Sequence, residues 1–503
     1  MIDHLNWTAT IVFVAFFALV TVMGFYASRW KSGNLDELHE WGLGGRRFGA
    51  WITWFLLGGD LYTAYTVIAV PAAVYAIGSY GFFAVPYTIM IYPFIFLTMP
   101  RLWNVAHKKG FITGADFVFA RYDNKWLELA VAFTGILATM PYIALQLVGM
   151  EKVIQALGFQ GEGLVAHVPL TIAFVILAVY TYSSGLRAPA MIAFVKDIMI
   201  YIFVIAAVII IPAKLGGYGA IFDVAAKDFA GKPNAGVTLG QGQIWPFITL
   251  AIGSAMALFM YPHSMTGVLA ASSPKAIRRN AITLPAYSVV LGLIALMGYM
   301  AHAAGIKVAN PQDAIPQLFL KMFPDWFAGF CFAAIAIGAL VPAAVMSIGA
   351  ANTFTRNVWR PFVHPNMSPM EESVLAKLMS LVVKVGALAV ILFMPTKFAL
   401  DLQLLSGVWM IQVFPAIIFG LYTRWFSGSA LFGGWLVGFV LGTYLSWGPT
   451  NWTPTFVING VGLYNGITAV ACNIAVAVIL SFILRPTKQD AIAASDFLDA
   501  AKA

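Results

Sequence analysis

The chain alternates long apolar runs with short polar connections. Runs long enough to cross about 30 Å of hydrocarbon begin near Trp7, Ala50, Tyr80, Trp126, Leu164, Ala188, Ile244, Ile282, Phe327, Val374, Phe398, Gly428 and Tyr464. The pattern predicts thirteen transmembrane helices in an all-α membrane protein. No stretch outside the runs is long enough to bury a core of its own, so residues 1–503 read as a single transmembrane domain. The first run has neither a cationic flank before it nor a small-residue cleavage site after it, and reads as a retained span.

Composition agrees: 61% of residues are hydrophobic, 10% are charged and the mean hydropathy is +0.84, whereas a soluble domain carries about 25% charged residues. The solvent of this chain is therefore the lipid bilayer. A formal charge of +8 could suggest nucleic acid, but the basic residues lie in short clusters between apolar runs, which is a topological pattern. Twenty of the 29 lysines and arginines fall in one set of loops and the C-terminal tail, among them Arg29, Arg46, Arg279, Arg356 and Arg485, against seven in the opposite set. Cationic loops stay in the cytoplasm, so the N-terminus is expected outside and the C-terminus inside. Cys331 and Cys472 sit in apolar runs without CxxC spacing, and the seven histidines lack metal-ligand spacing. There is no GxxxxGK, nucleophile elbow or HExxH. An enzyme, a resident cofactor and a nucleic-acid partner are thus not expected.

Two runs are interrupted. AWITWFLLGGDLYTAYTVIA places Gly58, Gly59 and Asp60 in mid-run, and IWPFITLAIGSAMALFMYPH carries Gly253 and Ser254 at a similar depth, with Pro262 further on. A charge at that depth costs roughly 2.5 to 3.5 kcal/mol on insertion scales, and each glycine weakens a helix by about 1 kcal/mol. Membrane helices also use glycine simply to pack. Five helices separate the starts of the two runs, which gives them opposite orientations, and paired interrupted helices in inverted halves point to a transporter's midplane site.

GLGGRRFGAWIT (Gly42 to Thr53), GFITGADFVFARY (Gly110 to Tyr122), YPH (Tyr261 to His263) and AASSPKAIRRNA (Ala270 to Ala281) resemble signatures of the bacterial sodium:solute symporter family over nearly the whole chain. The resemblance implies a five-plus-five inverted-repeat core of the LeuT type, about residues 50–422, with peripheral helices at about 7–27, 428–447 and 464–485. VKDIMIY (Val195 to Tyr201) and PYIALQLVGMEKV (Pro141 to Val153) look most like monocarboxylate permeases of the MctP kind.

In sodium-coupled family members the shared ion site takes carbonyls from the broken first core helix and oxygens from the eighth. By this resemblance the first set falls on Gly59 and Tyr62 and the second on Gly338, Val341 and Pro342, so a sodium ion would be held through Gly59, Tyr62 and Gly338. Val341 and Pro342 lack the hydroxyls expected there, and two hard ligands for a hard cation are missing. Lys196 stands beside Asp197 where the family commonly has a threonine before the aspartate. An ammonium there could replace sodium, losing and regaining a proton with Asp60 or Asp197 as counter-charge. The alternatives are a static Lys–Asp pair, a lysine snorkelling to the surface, or an alignment one turn off that restores a sodium site through Ser347. Substrate is expected to meet Gly58 and Thr63 at the first break, Tyr142 and Gln146 on the third core helix, Ser254 and Met256 at the second break, and Trp409 and Gln412 on the last core helix. For each of these, interhelical packing is an equal alternative. Lys384 lies deep in its run and either meets an anionic substrate or snorkels. Asp116 and Arg121 are expected to cap a helix or brace a gate.

The expected function is symport, driven by protons or sodium, of a small monocarboxylate such as lactate or pyruvate across a bacterial inner membrane. A sodium symporter for an amino acid or pantothenate is the alternative. One charge moving down 100 mV yields about 2.3 kcal/mol, which an anion returns on entering, so it needs a second co-ion or a pH gradient.

Overall fold

The computed structural model describes residues 5–30, 33–59, 61–159, 168–394, 398–448, 451–484 and 491–498. Asp60 lies outside the described residues. The helices that organise the fold are α1 (Trp7–Tyr26), α2 (Ala50–Gly59), α3 (Val70–Ile77), α4 (Ala84–Lys109), α5 (Lys125–Ala156), α6 (Val168–Ser184), α7 (Arg187–Lys214), α8 (Gly217–Phe229), α9 (Ile244–Leu258), α10 (Pro262–Leu269), α11 (Pro285–Ala303), α12 (Asp325–Phe354), α13 (Pro369–Phe393), α14 (Ala399–Met410), α15 (Gly428–Ser446) and α16 (Asn465–Ile483). Among the described residues ten helices are long and apolar enough to cross a membrane, or eleven when the bent pair α9 and α10 counts as one span. The runs expected near Ala50 and Leu164 appear as shorter apolar helices, Ala50–Gly59 with Tyr65–Ile77 and Thr171–Ser184.

Local chemistry sets the helix ends. The Asn124 side chain accepts from the Trp126 and Leu127 N–H groups at the start of α5, and Ser368 with Glu371 forms a reciprocal cap on α13. Both arrangements satisfy first-turn donors that have no intrahelical partner. The strands β1 (Thr455–Ile458) and β2 (Val461–Tyr464) form an antiparallel hairpin before α16. Its turn residues Asn459 and Gly460 both have positive φ, at 50° and 80°, the left-handed pair that a two-residue hairpin requires.

Helix α12 is the axis of the bundle. Its apolar window is 100% buried, against 28% for that of α1, although both runs are strongly apolar. Small residues let neighbours reach its backbone: a Cβ on Gly329 would stand 2.3 Å from the Ala9 carbonyl oxygen, and one on Gly349 would stand 2.7 Å from the His263 nitrogen. In lipid, where burial of apolar surface drives little, such close backbone approach is what holds helices together.

Candidate functional site

Both interrupted helices are broken, at different kinds of signal. Helix α2 ends at Gly59, and regular structure resumes with a π turn over Tyr65–Ala69 leading into α3. The second break falls at residues 259–261, where α9 ends and Pro262 opens α10, with a 50° bend between them. The expected break at Gly253 and Ser254 is therefore corrected. Both residues lie inside α9, and Gly253 is a packing glycine whose added Cβ would sit 2.4 Å from the Tyr464 ring. Proline sets this break because it has no N–H to continue the helix behind it.

Breaking α2 from α3 leaves backbone groups that need partners, and several of them find a side chain. The Lys196 ammonium of α7 donates to the Gly59 carbonyl at 2.5 Å and the Tyr62 carbonyl at 3.0 Å, and lies 3.1 Å from Asp197 Oδ1. Lys196 and Asp197 are both fully buried, so the lysine does not snorkel. Tyr287 of α11 donates its hydroxyl to Asp197 Oδ2 at 2.6 Å, and the Tyr62 hydroxyl donates to the Tyr287 carbonyl at 3.2 Å. Gly58 is the space into which Tyr287 fits, since a Cβ there would stand 2.2 Å from its ring.

Helix α12 closes another side. A Cβ on Gly338 would be 3.6 Å from the Tyr62 carbonyl oxygen. Pro342, four residues on, supplies no N–H, so the Gly338 carbonyl lacks its ordinary helical donor on the turn facing the unwound segment. Val341 and Pro342 are buried and bring no side-chain oxygen. The Ser347 hydroxyl is spent on its own helix, donating to the Ala344 carbonyl at 2.8 Å.

The substrate candidates divide. Gln146 Oε1 accepts from the Ala64 N–H at 3.0 Å and Thr63 Oγ1 accepts from the Tyr65 N–H at 3.0 Å, so both serve the first break itself. The Tyr142 ring stands 5.5 Å from that of Tyr261 at the second break. Tyr261 shares a 2.5 Å hydrogen bond with Ser406 of α14. Ser254 and Met256 sit on α9, the serine buried with no hydrogen-bond partner among the described residues and the methionine half-buried. Trp409 and Gln412 do not join this group, which corrects the expectation. The Trp409 indole donates to Thr443 of α15 at 2.9 Å, and Gln412 Oε1 accepts from the Asn473 amide of α16 at 3.2 Å. Both face the peripheral helices. A helix buried on every side has no amphipathic phase to reveal which face looks inward.

Tyr287, Tyr261 and Ser406 are the partners that sequence reasoning missed. A tyrosine at depth signals a hydrogen bond, but nothing in its local sequence says with what. Lys384 is buried, and its ammonium donates to the Ser380 carbonyl at 3.2 Å. Asp116 caps the helix Gly114–Tyr122 in a reciprocal box with Thr113, and Arg121 donates to the Thr423 carbonyl at 3.0 Å.

Residues 41–438 match the model of the sodium:solute symporter family. The chain belongs to that family. It is 59% identical over 489 residues to a monocarboxylate transport permease protein of Rhizobium johnstonii, covering 96% of this chain and 98% of the relative. It is 25% identical over 496 residues to a sodium/proline symporter of Staphylococcus aureus, covering 95% and 93%. A solved Na+-coupled sialic acid symporter, in a substrate-bound outward-open state, superposes with a TM-score of 0.78 at 17% identity over 96% of this chain and 98% of that one. The fold is thus the family's, and the protein is a multi-pass membrane symporter of a small solute.

Proposed function

We propose that the symporter carries a small monocarboxylate, lactate or pyruvate in size, into a bacterial cell across the inner membrane, and that a proton is the coupling ion. The observation that carries this reading is the Lys196 ammonium held by the Gly59 and Tyr62 carbonyls. A charged lysine presents three N–H donors to the two carbonyls and the Asp197 carboxylate. A neutral amine keeps two donors and turns a lone pair toward an acceptor, so it cannot hold all three. Loss of the proton then loosens the junction between the two half-helices, and its return tightens it. One proton moving with one monoanion is electroneutral and follows a pH gradient. Sodium at the same carbonyls would lack the hydroxyls that Val341 and Pro342 do not supply, yet the sodium-coupled relatives keep a sodium-driven symporter of another solute as the second reading.

In this proposal the shorter helices at Ala50–Ile77 and Val168–Ser184 also cross the membrane, giving thirteen spans. A five-plus-five core occupies about residues 50–422 with the N-terminus outside. The substrate lies between the two breaks, against Tyr142, Tyr261, Gly58 and Thr63. The monocarboxylate reading rests on the Rhizobium relative together with the buried ammonium at the first break.

The test is competition in proteoliposomes. Unlabelled lactate is expected to suppress uptake of labelled lactate at least tenfold better than lactamide, because removing one charge-assisted contact costs roughly 1.5 to 3 kcal/mol. Equal competition by lactamide would remove the carboxylate reading.

A further inference from the structure

His302 closes the last turn of α11, 5% exposed, at the lysine- and arginine-poor end of the bundle. Its Nε2 lies 2.7 Å from the Tyr75 carbonyl oxygen on α3, and its Nδ1 lies 2.8 Å from Asp228 Oδ2 on α8. The Tyr75 ring stacks on the imidazole at 4.4 Å and 20°, and Phe229 meets it edge-on at 4.9 Å. Tyr75 is pinned a second time, through its hydroxyl to the Ile306 carbonyl at 2.9 Å.

A carbonyl oxygen and an ionised carboxylate both only accept. To serve both acceptors at once each ring nitrogen needs its own N–H, which only the doubly protonated ring supplies. Contact with that ring holds the Asp228 carboxyl below the usual carboxylate range. The Tyr75 carbonyl needs such a donor. It lies in the last turn of α3, and the Ser79 N–H that would continue the helix bonds to the Gly236 carbonyl instead, at 2.7 Å. A cation at a helix C-terminus also meets the negative end of its dipole.

We propose that His302 is a positioning residue of the transport cycle: doubly protonated it ties the far end of half-helix α3 to α8, and neutral it lets one of the two go. Helix α3 is the half that the unwound segment separates from α2, so fixing its far end fixes the half that must tilt if the break flexes. On the orientation proposed above this end faces outside, and the tie tightens as the external medium acidifies. Histidine is the side chain whose charge changes between about pH 5 and 8. The other charged and titratable groups on the elements packed against it include Asp223 and Lys227 on α8 and Tyr299, which meets the Phe229 ring at 6.3 Å. Lys307 reaches Asp228 at 3.4 Å, Lys321 donates to the Ala304 carbonyl at 2.5 Å, Lys232 lies over the Phe229 ring at 5.6 Å, and Lys214 donates to the Met322 carbonyl at 2.7 Å. None of these cations is a substitute acceptor for a ring N–H.

The test is hydrogen exchange of residues 70–77 and 217–229 in the full-length protein in lipid nanodiscs, from pH 5.5 to 8.5, after correction for intrinsic rates. Wild-type protection of both segments is expected to fall roughly tenfold across the range as one charge-assisted bond is lost. His302→Gln is expected to show no inflection, and its uptake is expected to lose the matching step in the external pH profile. Asp228→Asn separates the proposal from a merely structural contact. Its amide can donate to the lone pair of a neutral ring while Nε2–H still serves Tyr75, so protection should persist at pH 8.5. Loss of protection at every pH in Asp228→Asn, or the same pH profile in wild type and His302→Gln, would overturn the proposal.

Discussion

Gly59→Leu is expected to abolish uptake while leaving the protein inserted and folded. A Cβ at this position would already stand 3.0 Å from the Lys196 ammonium nitrogen and 3.5 Å from the Ala193 Cβ. The remaining leucine carbons would have to occupy the volume of the ammonium, driving it off both carbonyls. Losing two hydrogen bonds from a charged donor costs roughly 1.5 to 3 kcal/mol each, together about a hundredfold or more. Gly59→Ala, whose single carbon asks its neighbours to move by only tenths of an ångström, should retain measurable transport. Uptake rates normalised to the amount of protein in the membrane check both, and normal uptake by Gly59→Leu would put the functional break elsewhere.

Lys196→Ala is expected to uncouple the symporter. Uptake driven by a pH gradient should fall at least tenfold, while exchange of labelled for unlabelled substrate at equal concentrations continues. The physical reason is that exchange needs only the alternation of the two half-helices around a bound solute, whereas net proton-driven uptake needs a group that changes charge beside the break. The substitution leaves Asp197 with the Tyr287 hydroxyl as a remaining partner. The paired variant Lys196→Ala with Asp197→Asn removes that stranded charge as well, and should show the same loss of drive with exchange intact. Equal loss of exchange in both variants would return Lys196 and Asp197 to the role of a static brace between α7 and the break.

Much of this architecture is legible in the chain because lipid makes strict demands on it. Every backbone group in hydrocarbon must be satisfied internally, so apolar runs read as helices and an interruption such as Leu57-Gly58-Gly59 reads as a break. The Lys196 and Asp197 pair is legible for a related reason, since charge that deep is too costly to be incidental. Where the sequence misled, it did so through residues with two physical uses. Gly253 looks like a helix breaker and is a packing contact for Tyr464. Trp409 and Gln412 look like pocket residues and bond outward to Thr443 and Asn473. At the first break the Ala64 and Tyr65 N–H groups are already occupied by Gln146 and Thr63, which no local sequence pattern announces. Partners such as Tyr287, 90 residues from Asp197 along the chain, become visible only once the helices are packed.

The measurement that bears most directly on the central claim is uptake of labelled lactate by wild-type protein in liposomes, in sodium-free buffer, with the interior made alkaline. A lysine-centred site predicts accumulation above the external concentration, up to about tenfold per unit of pH difference for one proton per anion, and its collapse when a protonophore is added. A strict requirement for sodium, with no uptake on the proton gradient alone, would contradict it.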